Sequence, residues 1–352
     1  MKLGKNMKSS LAGLFAIGLL AGAVSSQAQS YNITDLGALP GDNNATVGGL
    51  NSLGQAAGTS SSSSSAIATL FSNGHTISLG ALGASDMSFA EAINGSGQVV
   101  GYDWLSYGVS HAFLYSNGRM TDIHSASLFP SGSTATAINN SGAVVGYGWI
   151  STADEHAFLY TGGRTVDLGT LGGNDATALA ISDSGQVVGV SATASGAGHA
   201  FIYANGRMTD LGTPASANSS SAAAINRNGQ IAGAASFGNA THAAMYGNGV
   251  WTDLGMMPGA TVGNLASSIN NSGQVVGVSI FPILYNKKPL HPTTHVGFIY
   301  RNGVLVDLNT LIPANSGFLI TSAVAINDSG EILCNAKTTT GLVYRAVLLT
   351  PK

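Results

Sequence analysis

The chain has 352 residues, of which 8% are charged, and its formal net charge is −3 at pH 7. Charged residues make up about 25% of an average soluble domain, so Ser, Thr, Asn and Gly must supply most of the polar surface. A net negative charge argues against sequence-independent binding of nucleic acid. The single cysteine, Cys334, excludes an intrachain disulfide, and its apolar surroundings predict a buried thiol.

The first segment has the features of a signal peptide. Three lysines precede an apolar stretch from Leu11 to Val24, and Ser26-Gln27-Ala28 offers the small residues that a signal peptidase needs. We expect residues 1–28 to be a signal peptide and residues 29–352 to form a single domain, exported to the periplasm or the medium. Loss of the three lysines would change the net charge from −3 to −6. No later segment has the roughly 18 apolar residues of a membrane span.

One phrase recurs seven times along the chain: an Ile or Leu, then usually Asn, then a turn that ends in Gly, then a short Val-rich run. Successive copies are 43, 45, 43, 44, 44 and 57 residues apart. This period is typical of a four-stranded propeller blade rather than of helical repeats or short β-helix coils. The second position of the phrase is occupied by Asn51, Asn94, Asn139, Ser182, Asn226, Asn270 and Asn327.

Each repeat contains four short β-rich runs, A to D in chain order, separated by Gly and Asn turn signals. In the third repeat, run A is Ala135–Ile138 and run C is His156–Tyr160. The A runs consist mostly of small residues, which suit the crowded strand beside a propeller axis.

The order of the runs predicts how the two chain ends meet. The chain begins with a D-type run, Ile33–Gly37, and ends with a C-type run, Arg345–Leu349. We therefore predict an all-β, seven-bladed β-propeller that is closed by pairing of the N-terminal strand with the last blade. An open solenoid is the alternative, and it would leave the first strand unpaired.

Three C runs share one sequence pattern, and each is followed by a D run that ends in Leu-Gly or a near variant. The runs are His111-Ala112-Phe113-Leu114-Tyr115, His156-Ala157-Phe158-Leu159-Tyr160 and His199-Ala200-Phe201-Ile202-Tyr203. With this phrase the chain resembles the bacterial extracellular HAF-repeat family over essentially all of its mature length. The resemblance implies an exported, repeat-built protein and leaves its biochemical activity open.

In four repeats a His in run C stands 11 residues before an Asp in run D. A two-residue turn would place these side chains diagonally across the hairpin on one face. Ring closure predicts that Arg345 meets Asp35 in the same way, whereas in the sixth repeat His295 stands one position early and its pairing with Asp307 is doubtful. Because the pattern recurs in most repeats, we interpret it as structural, and assign the pairs His111–Asp122, His156–Asp167, His199–Asp210, His242–Asp253 and Arg345–Asp35.

The sequence offers little support for a metal site or a cofactor. His291 and His295 have a spacing that occurs in some metal sites, but no Cys or acidic residue lies close to them in sequence. They lie in or beside the longest B–C connection, Ser279–Thr294, which we expect to be a solvated, mobile insertion. We therefore assign no metal and no cofactor.

The long B–C and D–A connections emerge on the same face of an up-and-down blade, which makes that face the candidate binding site. In the second and third repeats its loops carry Trp104, Tyr107 and Trp149. We expect these rings to form a stacking platform for the apolar face of a sugar or a peptide. The alternative is that the rings cap the core of the ring.

Acidic residues also gather on this face, in the first half of the chain. Glu91 is the one charged residue in any A run, so we expect it to line the channel; the alternative is a solvated carboxylate at the strand entrance. The candidate ligand-binding acids are Asp86, Glu91, Asp103, Asp154 and Glu155.

These features favour a secreted, non-catalytic binding protein whose long-loop face contacts a glycan or a surface polymer. An extracellular lyase or hydrolase with carboxylates at the channel mouth is one alternative, although the sequence contains no nucleophile elbow and no Ser-His-Asp order. A protein-interaction scaffold is another alternative, and it would need no pocket. The expected partner is an extracellular glycan or protein.

Overall fold

The computed structural model describes residues 30–84, 86–106, 109–285, 288–340 and 343–352. The expected signal peptide and Tyr107 lie outside these ranges. Within them the chain consists of 28 β-strands and one 3-10 turn, Leu308–Thr310. The strands form antiparallel sheets of four, and each sheet contains one sequence repeat with its strands in chain order, except that the last sheet also includes the N-terminal strand.

The first three repeats have the following strands. Repeat 1 contains β2 (Asn44–Leu50), β3 (Ala56–Ser61), β4 (Ala66–Ser72) and β5 (His75–Gly80). Repeat 2 contains β6 (Ser88–Ile93), β7 (Val99–Ser106), β8 (Val109–Ser116) and β9 (Arg119–Asp122). Repeat 3 contains β10 (Ser133–Ile138), β11 (Val144–Trp149), β12 (Glu155–Thr161) and β13 (Arg164–Gly169).

The remaining repeats continue this order. Repeat 4 contains β14 (Gly172–Ile181), β15 (Val187–Thr193), β16 (Gly198–Ala204) and β17 (Arg207–Asp210). Repeat 5 contains β18 (Ser219–Ile225), β19 (Ile231–Phe237), β20 (Ala240–Gly247) and β21 (Val250–Gly255). Repeat 6 contains β22 (Gly263–Ile269), β23 (Val275–Tyr285), β24 (Lys288–Arg301) and β25 (Val304–Asp307). Repeat 7 contains β26 (Phe318–Ile326), β27 (Ile332–Thr338), β28 (Tyr344–Pro351) and the N-terminal strand β1 (Tyr31–Asp35). One parallel pair, Thr241 with Gly263, links the sheets of repeats 5 and 6.

The N-terminal strand is paired as the sequence predicts. Strand β1 runs antiparallel to β28, with Tyr31 opposite Pro351 and Asp35 opposite Val347. The ring of Tyr31 is fully buried in the core of repeat 7. The first strand is therefore not left unpaired.

Every A strand contains a β-bulge at the same position. In β10, for example, Ala135 and Ala137 pair with consecutive residues of β11, so Thr136 between them is the extra residue. The bulge also explains the Gly of the Val-Val-Gly run, because a Cβ at Gly146 would lie 2.0 Å from the carbonyl oxygen of Thr134. The seven extra residues are Gly48, Glu91, Thr136, Leu179, Ala223, Ser267 and Val324. All seven are half-buried.

The apolar core lies between neighbouring sheets. Phe158 of the His-Ala-Phe run is buried against Val100 of repeat 2. The same kind of core joins the first and last repeats, where Phe71 of repeat 1 packs with Leu333 of repeat 7. The A strands also contact one another in order, and β26 contacts both β22 and β2. Burial raises the pKa of the Cys334 thiol, which is fully buried as predicted.

The longest B–C connection contains extended strand pairing. Strands β23 and β24 continue past the ends of the neighbouring strands and pair as far as Tyr285 and Lys288. Within the described ranges, residues 279–285 and 288–294 therefore belong to paired strands, which the sequence analysis did not predict.

Candidate functional site

The four predicted His–Asp pairs are present. In each pair the Nδ1 atom of the His lies 2.8 to 2.9 Å from a carboxylate oxygen of the Asp, across the C–D hairpin. The Arg345 guanidinium and the Asp35 carboxylate form the fifth pair, with 3.6 Å between Nε and Oδ2. In repeat 6 the Asp307 carboxylate instead accepts hydrogen bonds from the backbone and side-chain amides of Asn309.

Each of these Asp residues also stabilises the turn that follows its strand. The Asp167 carboxylate accepts a hydrogen bond from the backbone N–H of Gly169 at 2.8 Å, and Asp35 does the same for Gly37. In repeat 1 the Ser78 hydroxyl replaces the carboxylate and accepts the N–H of Gly80. Because a hydroxyl serves equally well here, the contacts support a structural reading of the Asp position.

The A–B turns form a second repeated network at the opposite end of the strands from the long connections. The Asn51 side chain accepts hydrogen bonds from the backbone N–H groups of Leu53 and Gln55, which fixes its own turn. Its amide donates to the backbone carbonyl of Asn94 in the next repeat. Equivalent amides link repeat 2 to 3, 3 to 4, 5 to 6, 6 to 7 and 7 to 1.

These turns line a polar cavity of about 230 Å³. At its rim Asn140 donates two hydrogen bonds to the Asp183 carboxylate, and Asn271 donates two to the Asp328 carboxylate. These polar groups of the rim are therefore engaged between repeats. The aromatic and acidic candidates lie at the other end of the strands.

Trp104 and Trp149 lie on strands rather than in the loops to which the sequence assigned them. They occupy equivalent positions near the ends of β7 and β11, and a tyrosine stands two residues before each, Tyr102 and Tyr147. The Trp104 position is taken in the other five repeats by Ser61, Ala192, Ser236, Ile280 and Lys337. The Tyr-x-Trp pattern therefore occurs only in two adjacent repeats, although nothing in the strand geometry requires aromatic residues there.

The two tryptophans belong to separate aromatic groups. The Trp104 ring packs on Phe89 with 5.7 Å between centroids, and Phe89 stacks on Tyr102 at 4.9 Å. Trp149 packs edge-on against Tyr147 at 5.2 Å. Tyr102 and Trp104 lie on the same face of their strand as Val100, which packs against repeat 3. Tyr147 and Trp149 lie on the same face of their strand as Val145, which packs against repeat 4. The two groups therefore face different neighbouring sheets, and no ring contact joins them among the described residues.

One carboxylate near the inner strands affects the pKa of a tyrosine in each of the two repeats. Glu91 is the extra residue of the β6 bulge, and burial raises the pKa of its carboxyl. Burial, together with the nearby Glu91 carboxylate, raises the pKa of the Tyr102 hydroxyl to about 12. Burial also raises the pKa of the Tyr147 hydroxyl, with smaller effects from Glu155 and Glu91 in the same direction. We call Phe89, Glu91, Tyr102, Trp104, Tyr147 and Trp149 the acid–aromatic face.

Of the other predicted acids, Asp103 is part of the scaffold. It is fully buried, and its carboxylate accepts a hydrogen bond from the backbone N–H of Leu82. Ser60 and Ser191 occupy the equivalent position in repeats 1 and 4 and accept the equivalent N–H. Asp103 therefore serves the D–A connection in this structure, whereas the sequence analysis predicts that it contacts a ligand.

The three remaining acids lie at the strand ends and differ in their surroundings. Asp86 is exposed and has a left-handed backbone conformation, with φ of 48°. Asp154 accepts hydrogen bonds from Ser151 and Asn174. Glu155 accepts a hydrogen bond of 2.5 Å from the hydroxyl of Thr177 in repeat 4. Asp86 is therefore accessible, whereas Asp154 and Glu155 help to join repeats 3 and 4.

Sequence reasoning missed Phe89, Tyr102 and Tyr147. They stand within runs that read as ordinary β-strands, and aromatic residues are common in strands. Alignment of the seven B runs position by position would have separated Tyr102 and Tyr147 from the Thr, Val, Ala and Asn residues at the same place in the other repeats.

Within the described ranges, no helix is long and apolar enough to cross a membrane. No protein-family model matches the chain, and no curated protein sequence matches it. Similarity to known proteins is instead found among solved structures.

The β-propeller domain of the Trilobed protease from Pyrococcus furiosus aligns with 88% of this chain and 95% of its own length, at 10% identity and a TM-score of 0.54. That domain has an open velcro topology, whereas here β1 pairs with β28. The extracellular domain of BT4673 from B. thetaiotaomicron aligns with 92% of this chain and 40% of its own chain, at 11% identity and a TM-score of 0.51. The identities are low, so these similarities concern the fold alone. The chain is an all-β protein with a β-propeller fold.

Proposed function

We propose that this protein is an exported, non-catalytic binding protein that holds a glycan on its acid–aromatic face. The observation that carries the proposal is the Tyr-x-Trp pattern, which occurs in two adjacent sheets and is absent from the other five repeats. The Trp104 side chain is 48% exposed. Flat aromatic rings that are partly wet bury the apolar faces of sugar rings. A purely structural role would not require a Tyr-x-Trp pair in two repeats when the other repeats fold without one.

The propeller that carries this face is, in our proposal, a closed ring of seven blades. The pairing of β1 with β28 supports closure. The shared core of repeats 1 and 7 supports it as well, and so does the Asn327 amide that donates to the Asn51 carbonyl. In such a ring the seven bulge residues line the central channel, and Glu91 is the acid among them.

We also infer that the protein is exported and belongs with the HAF-repeat proteins. The lysine-rich start, the apolar stretch and the small residues before residue 29 support export. The low content of Lys, Arg, Asp and Glu is compatible with a surface polymer as ligand, because contacts would then rest on stacking and hydrogen bonds.

The residues at the bulge positions favour a binding function over hydrolysis of a glycosidic bond. Hydrolysis of a glycosidic bond needs two carboxyl groups about 5 to 10 Å apart. The six bulge positions other than Glu91 are occupied by Gly, Thr, Leu, Ala, Ser and Val, so none of them supplies a second acid. Release of reducing ends from a bound glycan would overturn the non-catalytic part of the proposal.

The proposal is tested by a glycan array followed by calorimetry on the purified protein. Trp104→Ala should weaken binding of an array hit about fivefold or more, as expected for loss of one aromatic contact. Tyr344→Ala is the matched control, because this ring in repeat 7 is 42% exposed at the same end of the strands. Equal binding by both variants, with unchanged melting temperatures, would place the ligand elsewhere.

A further inference from the structure

In repeats 1 to 4 the Lys and Arg residues lie at one end of the strands, and the acid–aromatic face lies at the other. No Lys or Arg occurs between residues 30 and 118. Arg119, Arg164 and Arg207 each follow a C–D turn, at the far end of the sheets from Trp104 and Trp149. The end that carries the acid–aromatic face has Asp86, Asp154, Glu155 and Asp175 around it, together with Glu91. A ligand there meets a negative potential with no described cation from repeats 1 to 4 to offset it.

Glu91 stands out among these acids because its carboxylate is half-buried and has no partner among the described residues, whereas Asp86 is exposed to solvent. It makes no hydrogen bond and no ion pair within the part of the chain that the structure describes. The neighbouring acids differ: Asp154 and Glu155 accept hydrogen bonds from other side chains. A half-buried carboxylate without a partner lowers the stability of the folded protein unless a ligand supplies the missing contact.

The groups around Glu91 are those that recognise an ammonium group. Phe89 stands two residues before it on β6 and stacks on Tyr102, whose hydroxyl lies within electrostatic reach of the Glu91 carboxylate. Aromatic faces attract cations through the quadrupole of the ring, and an adjacent carboxylate adds a charge-assisted hydrogen bond. A hydroxyl group of a neutral sugar can also donate to the carboxylate, but only an ammonium group adds the attraction of an opposite charge.

Resting on the proposed function, we infer that the ligand is a cationic saccharide, namely an oligomer of glucosamine with free amino groups. One ammonium group pairs with Glu91, and sugar faces pack on the Trp104 and Trp149 groups. The equivalent Tyr-x-Trp pairs in adjacent repeats favour a ligand made of identical units, since each group then contacts the same chemistry and the two contacts reinforce one another.

Binding should also respond to pH in a defined direction. Burial raises the pKa of the Glu91 carboxyl in the free protein, and an ammonium ligand favours the ionised form. Binding therefore releases a proton and strengthens as the pH rises through the pKa of Glu91. The other groups that face Glu91 are the Tyr102 and Tyr147 hydroxyls, whose raised pKa values keep them neutral throughout the acidic and neutral range.

Calorimetry with three probes tests the inference: the glucosamine hexamer, the N-acetylglucosamine hexamer and hexalysine. We expect the glucosamine hexamer to bind about tenfold more tightly than its acetylated form, and Glu91→Gln to remove this preference. The matched control is Glu331→Gln at the other end of the strands, because Gln55, Gln98, Gln186, Gln230 and Gln274 occupy that position in five other repeats. Melting temperatures establish that each variant is folded.

The outcomes separate this inference from the proposed function. Equal binding of both hexamers, unaffected by Glu91→Gln but weakened by Trp104→Ala, would overturn the cationic class and leave glycan binding intact. Binding of hexalysine without either saccharide would overturn both and indicate a basic peptide. Binding of none of the three, together with a silent glycan array, would also overturn both.

Discussion

The side-chain amide of Asn327 donates a hydrogen bond to the backbone carbonyl of Asn51, 3.2 Å away and 276 residues earlier in the chain. This contact joins the last A–B turn to the first, and five equivalent contacts join the other repeats. One link is missing. Ser182 has no amide to donate, so its turn does not make the equivalent bond to Asn226.

Ser182→Asn should complete this network. The new side chain can accept the N–H of Gln186, as the Ser182 hydroxyl does now, and can also donate to the Asn226 carbonyl. We expect the free energy of unfolding to rise by about 1 kcal/mol, the usual net value of a protein hydrogen bond. Asn139→Ser is the converse change and should lower the free energy of unfolding by a similar amount. If urea unfolding gives both variants the same free energy of unfolding as the natural protein, the network has no stabilising role.

The first strand should contribute much of the stability of repeat 7. Tyr31→Ala removes a fully buried ring from the core next to β28 and should cost about 3 kcal/mol or more. Asn32→Ala changes the neighbouring exposed residue of the same strand and should cost less than about 0.5 kcal/mol. Thermal unfolding with the same melting temperature for both variants would mean that β1 is not docked in solution.

The His–Asp pairs should affect stability and leave binding unchanged. The side chains of His156 and Asp167 are 21% and 33% exposed, so solvent weakens their attraction. We expect His156→Ala to lower the free energy of unfolding by less than about 1 kcal/mol. Calorimetry should give the same affinity for the glucosamine hexamer; lost affinity at an unchanged melting temperature would mean that His156 contacts the ligand.

The repeat itself was predictable from the sequence, because the turn residues and the alternating apolar runs recur at a constant period. The His–Asp contacts were predictable for the same reason: a two-residue hairpin fixes which residues face one another across it. The role of Asp103 was not predictable from the sequence. Only the folded D–A connection shows that its carboxylate accepts a backbone N–H, as the Ser191 hydroxyl does in repeat 4. Trp104 and Trp149 were assigned to loops because strand ends depend on pairing partners that a single run does not reveal.

Glu91→Gln should stabilise the free protein at neutral pH. Because burial raises the pKa of the folded-state carboxyl above its unfolded value, the folded protein binds the proton more tightly, and stability falls as the pH rises through the raised pKa. The variant has no ionisable group there, so its advantage over the natural protein should be small near pH 4 and larger near pH 7. Melting temperatures across this range provide the measurement. An advantage that shrinks as the pH rises would show that the carboxylate is already stabilised by a partner.

The location of the ligand is tested most directly by tryptophan fluorescence. The chain has 3 tryptophans, and Trp251 lies on β21, where its indole N–H donates to the Leu211 carbonyl. In the Trp251→Phe protein all tryptophan emission therefore comes from Trp104 and Trp149. Titration with the glucosamine hexamer should change this emission saturably, with the same affinity that calorimetry gives. Calorimetric binding without any change in emission would place the ligand away from the acid–aromatic face and contradict the account.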